Sequence, residues 1–129
     1  MSQVTFQNVE KRYGDVVAVH DIDLEIQDGE FLSVLGPSGS GKSTVLRMVA
    51  GLEDISDGTI KIGDRVINDI HPRDRGIAMV FQNYALYPHM TVRENMSYGL
   101  RLTTDLSEDE ISQRVESAAE MMGISEHLD

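Results

Sequence analysis

The chain has 129 residues, 40% of them hydrophobic and 5% aromatic, which suffices for one aliphatic core and suggests a single domain or part of one. Its formal net charge of −11 argues against nucleic acid as the main partner, because duplex binding needs clustered Lys and Arg. The lack of cysteine excludes disulfides and thiolate metal sites, and the sequence shows neither a secretory signal nor a membrane-spanning run of about 20 apolar residues.

The first part of the sequence is predicted to form an antiparallel β-ribbon. Polar and apolar residues alternate over residues 2–8, which predicts a half-buried strand, and residues 16–19 and 22–26 are predicted to be two further strand pieces. Residues 11–15 are predicted to form a turn that contains Tyr13. An aromatic side chain there serves either ordinary packing or stacking on the face of a nucleobase.

Residues 36–44, Gly-Pro-Ser-Gly-Ser-Gly-Lys-Ser-Thr, fit the phosphate-loop pattern G-x-x-x-x-G-K-[ST]. A short apolar strand is predicted before the loop at residues 31–35, after the hairpin signal Asp28-Gly29, and a helix is predicted from Lys42 to about Gly51. The glycines and the helix N-terminus direct backbone N–H groups at phosphate oxygens. Lys42 is predicted to reach the β- and γ-phosphates, and the Ser43 hydroxyl to ligate Mg²⁺. The alternative is a Gly/Ser-rich turn with an incidental lysine.

The segment after this helix predicts a small hairpin and then a buried strand. The hairpin has strands at residues 59–62 and 65–67, and a loop over residues 72–76 follows it. The apolar run 76–81 predicts a strand buried on both faces. Gln82 comes directly after it, at the end where α/β folds place ligand groups. Its amide is either a water or Mg²⁺ partner or an ordinary loop glutamine.

Two helices are predicted in the last part of the chain, each opening with a capping box. The first begins at Thr91-Val92-Arg93-Glu94 and the second at Ser107-Glu108-Asp109-Glu110, with Gly123 ending the second. Residues 105–129 carry eight acids and one base. This acidic stretch indicates a solvated helix face, and the alternative is the acidic surface of a protein from a salty cell interior.

The combination of Tyr13, the phosphate loop and residues 80–92 resembles the nucleotide-binding subunits of ABC transporters. Residues 47–53 and 72–79 further resemble the maltose/multiple-sugar importer branch, and the resemblance runs from about Val4 to the last residue. The implied fold class is α/β: a P-loop NTPase of the ABC type, incomplete, comprising the N-terminal part of one domain (1–129). The resemblance assigns residues 1–82 to an antiparallel β-subdomain and RecA-like core, and residues 83–129 to the Q-loop and the start of a helical subdomain.

The resemblance also implies a role for each matching residue. Tyr13 would lie under adenine, and Gln82 would be the Q-loop glutamine that senses the γ-phosphate and, with Ser43, binds Mg²⁺. The implied ATP-binding set is Tyr13, Gly36, Ser38, Gly39, Ser40, Gly41, Lys42, Ser43 and Thr44. ATP would close two such subunits head to tail at the cytoplasmic face of the membrane, and residues 83–100 would contact transmembrane permease subunits. The implied activity is ATP-driven uptake of a solute, in this branch a sugar.

Three motifs of that family are absent from the 129 residues: a signature segment of the LSGGQ kind, a strand ending in Asp-Glu, and a switch histidine. We therefore expect the chain by itself to bind nucleotide weakly at best, without hydrolysis at a family-like rate. The alternative function is a truncated, non-hydrolysing module that binds a nucleotide or a partner. A P-loop kinase or GTPase is disfavoured, because an antiparallel ribbon before the phosphate loop suits it poorly.

Overall fold

A four-stranded antiparallel sheet forms most of the first half of the molecule. The computed structural model describes residues 2–129, with strands β1 (Val4–Tyr13), β2 (Val16–Ile26), β3 (Asp57–Ile62) and β4 (Arg65–Val66) in the spatial order β2-β1-β3-β4. β1 is central, so Val4 lies opposite both Ile26 and Ile62. The predicted β-ribbon and the hairpin after the first helix are therefore confirmed.

Two details of the ribbon differ from the prediction. β1 runs on through Tyr13, so the turn is confined to Gly14 and Asp15, and β2 is one continuous strand rather than two pieces. Asn8, which has φ +48°, forms a bulge in β1, and the alternation of inward-facing and outward-facing side chains is interrupted there. Its N–H donates to the Asp23 carboxylate at 2.9 Å instead of continuing the ladder, and the register shifts there.

Helix α1 (Lys42–Ala50) packs one face on the sheet. Met48 is buried together with residues of the sheet and of the segment after it: Phe6, Val9, Val19, Ile60 and Ile67. The helix ends at Gly51, which has φ +74° and donates to the carbonyls of Arg47 and Met48, as the glycine at this position predicted.

The two apolar segments predicted as strands are not strands, so both predictions are wrong. Residues 31–35 and 76–81 have irregular backbone, and the side chains of Phe31, Leu35 and Val80 are about nine-tenths exposed. A strand is stabilised by hydrogen bonds to a neighbouring strand rather than by its own residues. Within residues 2–129 no strand pairs with either segment.

The second compact unit, Val80–Asp129, is a helical pair. Helices α2 (Val92–Thr103) and α3 (Glu108–Met122) each begin with the predicted capping box, and Gly123 ends α3 with φ +68°. Their core consists of Ile111, Val115, Ala119 and Leu128, which are buried. Arg93 ties the end of the chain to α2, since its N–H donates to the Leu128 carbonyl and its side chain pairs with Asp129 at 2.8 Å.

None of the helices within residues 2–129 combines the length and the apolar character needed to cross a bilayer.

Candidate functional site

The phosphate-loop sequence folds into a tight, exposed loop between residue 35 and α1. Gly36 approaches the Ser40 side chain so closely that a Cβ there would lie 2.6 Å from Oγ. Gly41 has φ +87°, and its Cβ would lie 2.8 Å from the Ala18 carbonyl oxygen. Gly39 also has positive φ, +80°, with open space around it. The three glycines therefore permit a curled backbone that residues with side chains would strain.

The Lys42 side chain lies within the curve of this loop. Its ammonium donates to the carbonyl oxygens of Gly36 at 2.8 Å and Pro37 at 2.5 Å, and to Ser40 Oγ at 3.1 Å. The loop thus holds one positive charge at its centre, through three acceptors of its own.

The N-terminus of α1 adds to the positive potential of the loop. α1 begins at Lys42, its N-cap Gly41 has no side chain to offer, and its first turn contains no acidic residue. Ser43 and Thr44 lie in that first turn, with Ser43 exposed. Free N–H groups, a helix dipole and a lysine are the groups that bind phosphate oxygens, so the residues present fit a phosphorylated ligand. Ser43 fits as a hydroxyl ligand of the Mg²⁺ that accompanies such a ligand.

Tyr13 ends β1 as a half-exposed ring held by two charged neighbours. The Lys11 ammonium lies 4.9 Å from the ring centroid, and the same ammonium pairs with Glu53 Oε1 at 2.6 Å and donates to the Asp54 carbonyl at 2.6 Å. The hydrogen bond from Lys11, with a further one from Tyr13, lowers the pKa of Glu53 against the opposing effect of burial. With one face against a cation and 47% of the residue exposed, Tyr13 can offer its other face to a flat ligand.

Gln82 belongs to the second unit, where it is exposed at the start of a turn over residues 82–85. The following loop is fixed by Asn95 of α2. Asn95 accepts from the Tyr87 N–H at 2.8 Å and donates to the carbonyls of Tyr87, Met90 and Thr91 at 2.9–3.1 Å. In the turn and the loop before α2 the large side chains of Tyr84 and Leu86 are exposed.

Sequence reasoning missed three residues of the site's surroundings: Lys11, Glu53 and Arg75. The sequence predicts Lys11 in a turn, whereas β1 runs on through Tyr13 and Lys11 lies two residues after the inward-facing Val9, on the same face of the strand. Glu53 carries no local signal, because its partner Lys11 lies on a different element. Arg75 is one of three charged residues in the loop 72–76, and only the fold shows that this one is buried.

Comparisons with known proteins agree with this geometry. The family model described as ABC transporter matches residues 19–129. The chain is 57% identical over 129 residues to the sn-glycerol-3-phosphate import ATP-binding protein UgpC of Ruegeria pomeroyi, covering all of this chain and 36% of that protein. It is 55% identical over 134 residues to the xylose/arabinose import ATP-binding protein XacK of Haloferax volcanii, covering all of this chain and 35% of that protein. The chain thus spans about a third of the length of these relatives.

A solved structure shares the fold. The dimeric, post-hydrolysis ATP-binding cassette MJ0796 bound to ADP and Pi matches with a TM-score of 0.84 and 31% identity, over 97% of this chain and 59% of that chain. The fold class is therefore the incomplete ABC-type P-loop domain that the sequence predicted. Since the family model covers most of the chain, this protein belongs to the ABC transporter family.

Proposed function

We propose that the chain binds ATP with Mg²⁺ as part of the ATPase subunit of an importer. The observation that carries this proposal is the position of Lys42, whose ammonium lies inside the phosphate loop beside the N-terminus of α1. The ligand's phosphates would lie against Lys42 and the N–H groups of the loop and first helical turn. The residues proposed to bind them are Gly36, Ser38, Gly39, Ser40, Gly41, Lys42, Ser43 and Thr44.

Three residues are proposed to contact the metal ion and the nucleobase of ATP. Ser43 and Gln82 are the proposed Mg²⁺ ligands, and the bound ion would neutralise phosphate charge. Tyr13 is proposed to stack on adenine with the face away from Lys11. These assignments rest on the exposed Ser43 in the first turn of α1 and on the half-exposed Tyr13 ring.

The proposed partners follow from the relatives and from the second unit. UgpC and XacK are named as import ATP-binding proteins, so a sugar or a sugar-like phosphate ester is the proposed solute class. Tyr84 and Leu86 are exposed beside the contacts that Asn95 makes to this loop, which suits a surface for transmembrane permease subunits over residues 83–100. A second copy bound head to tail, at the cytoplasmic face of the membrane, completes the proposal, with residues 1–82 and 83–129 as subdomains.

Calorimetric titration of the full-length protein with Mg-ATP tests the phosphate site. Lys42→Ala should weaken binding about 10- to 100-fold, because a charge-assisted hydrogen bond contributes about 1.5–3 kcal/mol. Lys61→Ala removes the same side chain from β3, outside the loop, and should leave affinity within about twofold. An unchanged affinity in Lys42→Ala would refute the proposed site.

The metal assignment has a separate test. Ser43→Ala should reduce the gain in ATP affinity that Mg²⁺ provides while leaving metal-free ATP binding nearly unchanged, since only a metal ligand is lost. Titrations with and without EDTA measure this gain, and equal Mg²⁺ dependence in both proteins would exclude Ser43 as a ligand.

A further inference from the structure

Arg75 is a buried arginine whose guanidinium donates four hydrogen bonds, all of them to main-chain carbonyls. Only 8% of the residue is exposed. Its Nε donates to Ile70 at 2.7 Å, one terminal nitrogen donates to Met48 at 2.9 Å and Val49 at 3.1 Å, and the other donates to Asn68 at 3.4 Å. Within residues 2–129 it forms no ion pair with a carboxylate.

Two of these carbonyls belong to the last turn of α1. The final carbonyls of a helix have no partner within the helix, and a buried helix end must find donors elsewhere. The Met48 carbonyl already accepts from the Gly51 N–H; Arg75 adds a second donor there and donates to Val49 as well. Through Asn68 and Ile70 it connects the same helix end to the segment after β4. The arginine therefore cross-links the C-terminal end of α1 to residues 68–70, which follow β4.

Gly51 leaves the space for this cross-link. A Cβ at Gly51 would lie 2.6 Å from Arg75 Nε and 2.7 Å from its central carbon. The backbone of Gly51 is also left-handed, so this position needs glycine for both reasons. Burial lowers the pKa of Arg75, and the charge of Asp54 opposes that shift. Because an arginine side chain stays protonated in proteins, a cation lies at the negative end of the helix dipole.

We propose that Arg75 is a positioning residue for the phosphate loop, an inference that rests on the proposed nucleotide site. α1 has nine residues and is about 13 Å long, so it acts as a short rigid rod between Arg75 and the loop. Fixing its C-terminal carbonyls fixes where its first turn directs the N–H groups of Lys42, Ser43 and Thr44. Arg75 itself contacts no phosphate in this arrangement.

The test compares Arg75→Lys with Arg47→Met in the full-length protein. Arg75→Lys keeps a buried positive charge of similar length but loses the forked geometry that serves four carbonyls. Arg47 is an exposed cation in the same last turn of α1, so Arg47→Met removes charge near the helix end without removing the cross-link. Arg75→Met is a second, neutral variant.

Affinity for Mg-ATP and for Mg-tripolyphosphate is measured by calorimetry at a temperature where circular dichroism shows each variant folded. Arg75→Lys should lower the affinity for both ligands by the same factor, about 3- to 30-fold, which is the range known for residues that couple to a site at a distance. Arg47→Met should stay within about twofold for both. Equal losses in Arg75→Lys and Arg47→Met, in contrast, would show that a change at this helix end lowers affinity whether or not the cross-link is broken, and would overturn the inference.

Hydrogen exchange of the α1 amides in nucleotide-free protein gives a readout that needs no ligand. Amides 45–50 should exchange faster in Arg75→Lys, with Arg47→Met unchanged. A lower melting temperature with unaltered affinity and unaltered α1 exchange would show that Arg75 only stabilises the fold. If the unsubstituted protein bound no Mg-ATP, the proposed function would fail, while the exchange data would still decide whether Arg75 fixes α1.

Discussion

Among single residues, Tyr13 is the one whose substitution should affect recognition of the nucleobase without affecting recognition of the phosphates. Lys11 lies against one face of the Tyr13 ring, and about half of the tyrosine residue is exposed. Tyr13→Ala should weaken Mg-ATP binding about tenfold, because aromatic–base stacking contributes about 1–3 kcal/mol. Affinity for Mg-tripolyphosphate, which has no base, should not change, and Tyr13→Phe should retain most of the stacking.

Tyr84→Ala provides the matched control for that measurement. Tyr84 is another exposed tyrosine, but it lies in the turn of the second unit. The affinities of this variant for Mg-ATP and for Mg-tripolyphosphate should equal those of the unsubstituted protein. A parallel loss of tripolyphosphate binding in Tyr13→Ala would mean that Tyr13 shapes the fold rather than the base site.

The Lys11–Glu53 pair should make stability depend on pH in a predictable direction. The hydrogen bond from Lys11 lowers the pKa of Glu53 below its ordinary 4.5, so the pair's contribution is present above that pH and is lost as pH falls through the lowered value. Glu53→Gln resembles the protonated acid. The unfolding free energy should therefore fall by about 1 kcal/mol in Glu53→Gln at pH 6, and this gap should close in more acidic solution.

Urea unfolding at a series of pH values measures that gap. If the gap of Glu53→Gln widened toward low pH, the pair would not be the source of the lowered pKa.

At the scale of elements, predictability followed the range of the interactions. The capping boxes at Thr91 and Ser107 and the left-handed glycine at Gly123 are set by residues within a few positions, and all were predictable. Residues 31–35 and 76–81 were not, because a strand depends on its neighbour rather than on its own apolar residues. The residues in and around the candidate site show the same difference between local and long-range interactions. The phosphate loop is a local pattern, whereas the burial of Arg75 depends on contacts with Met48, 27 residues earlier.

Asn95 should control the order of the loop before α2. Its side chain accepts from the Tyr87 N–H and donates to the carbonyls of Tyr87, Met90 and Thr91. The Tyr87 and Thr91 carbonyls also accept main-chain N–H groups, so Asn95→Ala leaves the Tyr87 N–H and the Met90 carbonyl to find water. We expect a loss of about 1–3 kcal/mol of unfolding free energy and faster amide exchange over residues 86–91. Asn83→Ala, an exposed turn residue of the same unit, should cost less than about 0.5 kcal/mol. Equal costs for the two variants would contradict this anchoring.

The whole molecule combines a strong negative charge with exposed apolar segments. Half of the eight acids in residues 105–129 have structural partners: Glu108 pairs with Arg101, Glu110 closes a capping box, and Glu116 and Asp129 pair with Arg93. These contacts support the interpretation of a solvated helix face. The halophilic alternative stays a prediction, tested by whether the fold survives dilution from molar salt.

Net charge and exposed apolar side chains should have opposite effects on self-association of the 129-residue polypeptide. Phe31 and Leu35 are about nine-tenths exposed, and such side chains favour association, while a net charge of −11 keeps molecules apart. Salt shortens the screening length from about 10 Å at 0.1 M to about 3 Å at 1 M. We therefore expect light scattering to show association that increases with salt, accompanied by binding of a hydrophobic dye.

The double substitution Phe31→Ser with Leu35→Ser separates the two effects. It should remove most of the salt-induced association and dye binding, yet change the melting temperature little, because side chains this exposed contribute little packing to the fold. Leu46→Ser, at a singly exposed leucine of α1, should leave association as it was. Loss of the fold in the double variant would instead show that residues 31–35 pack against the sheet in solution, as a strand would.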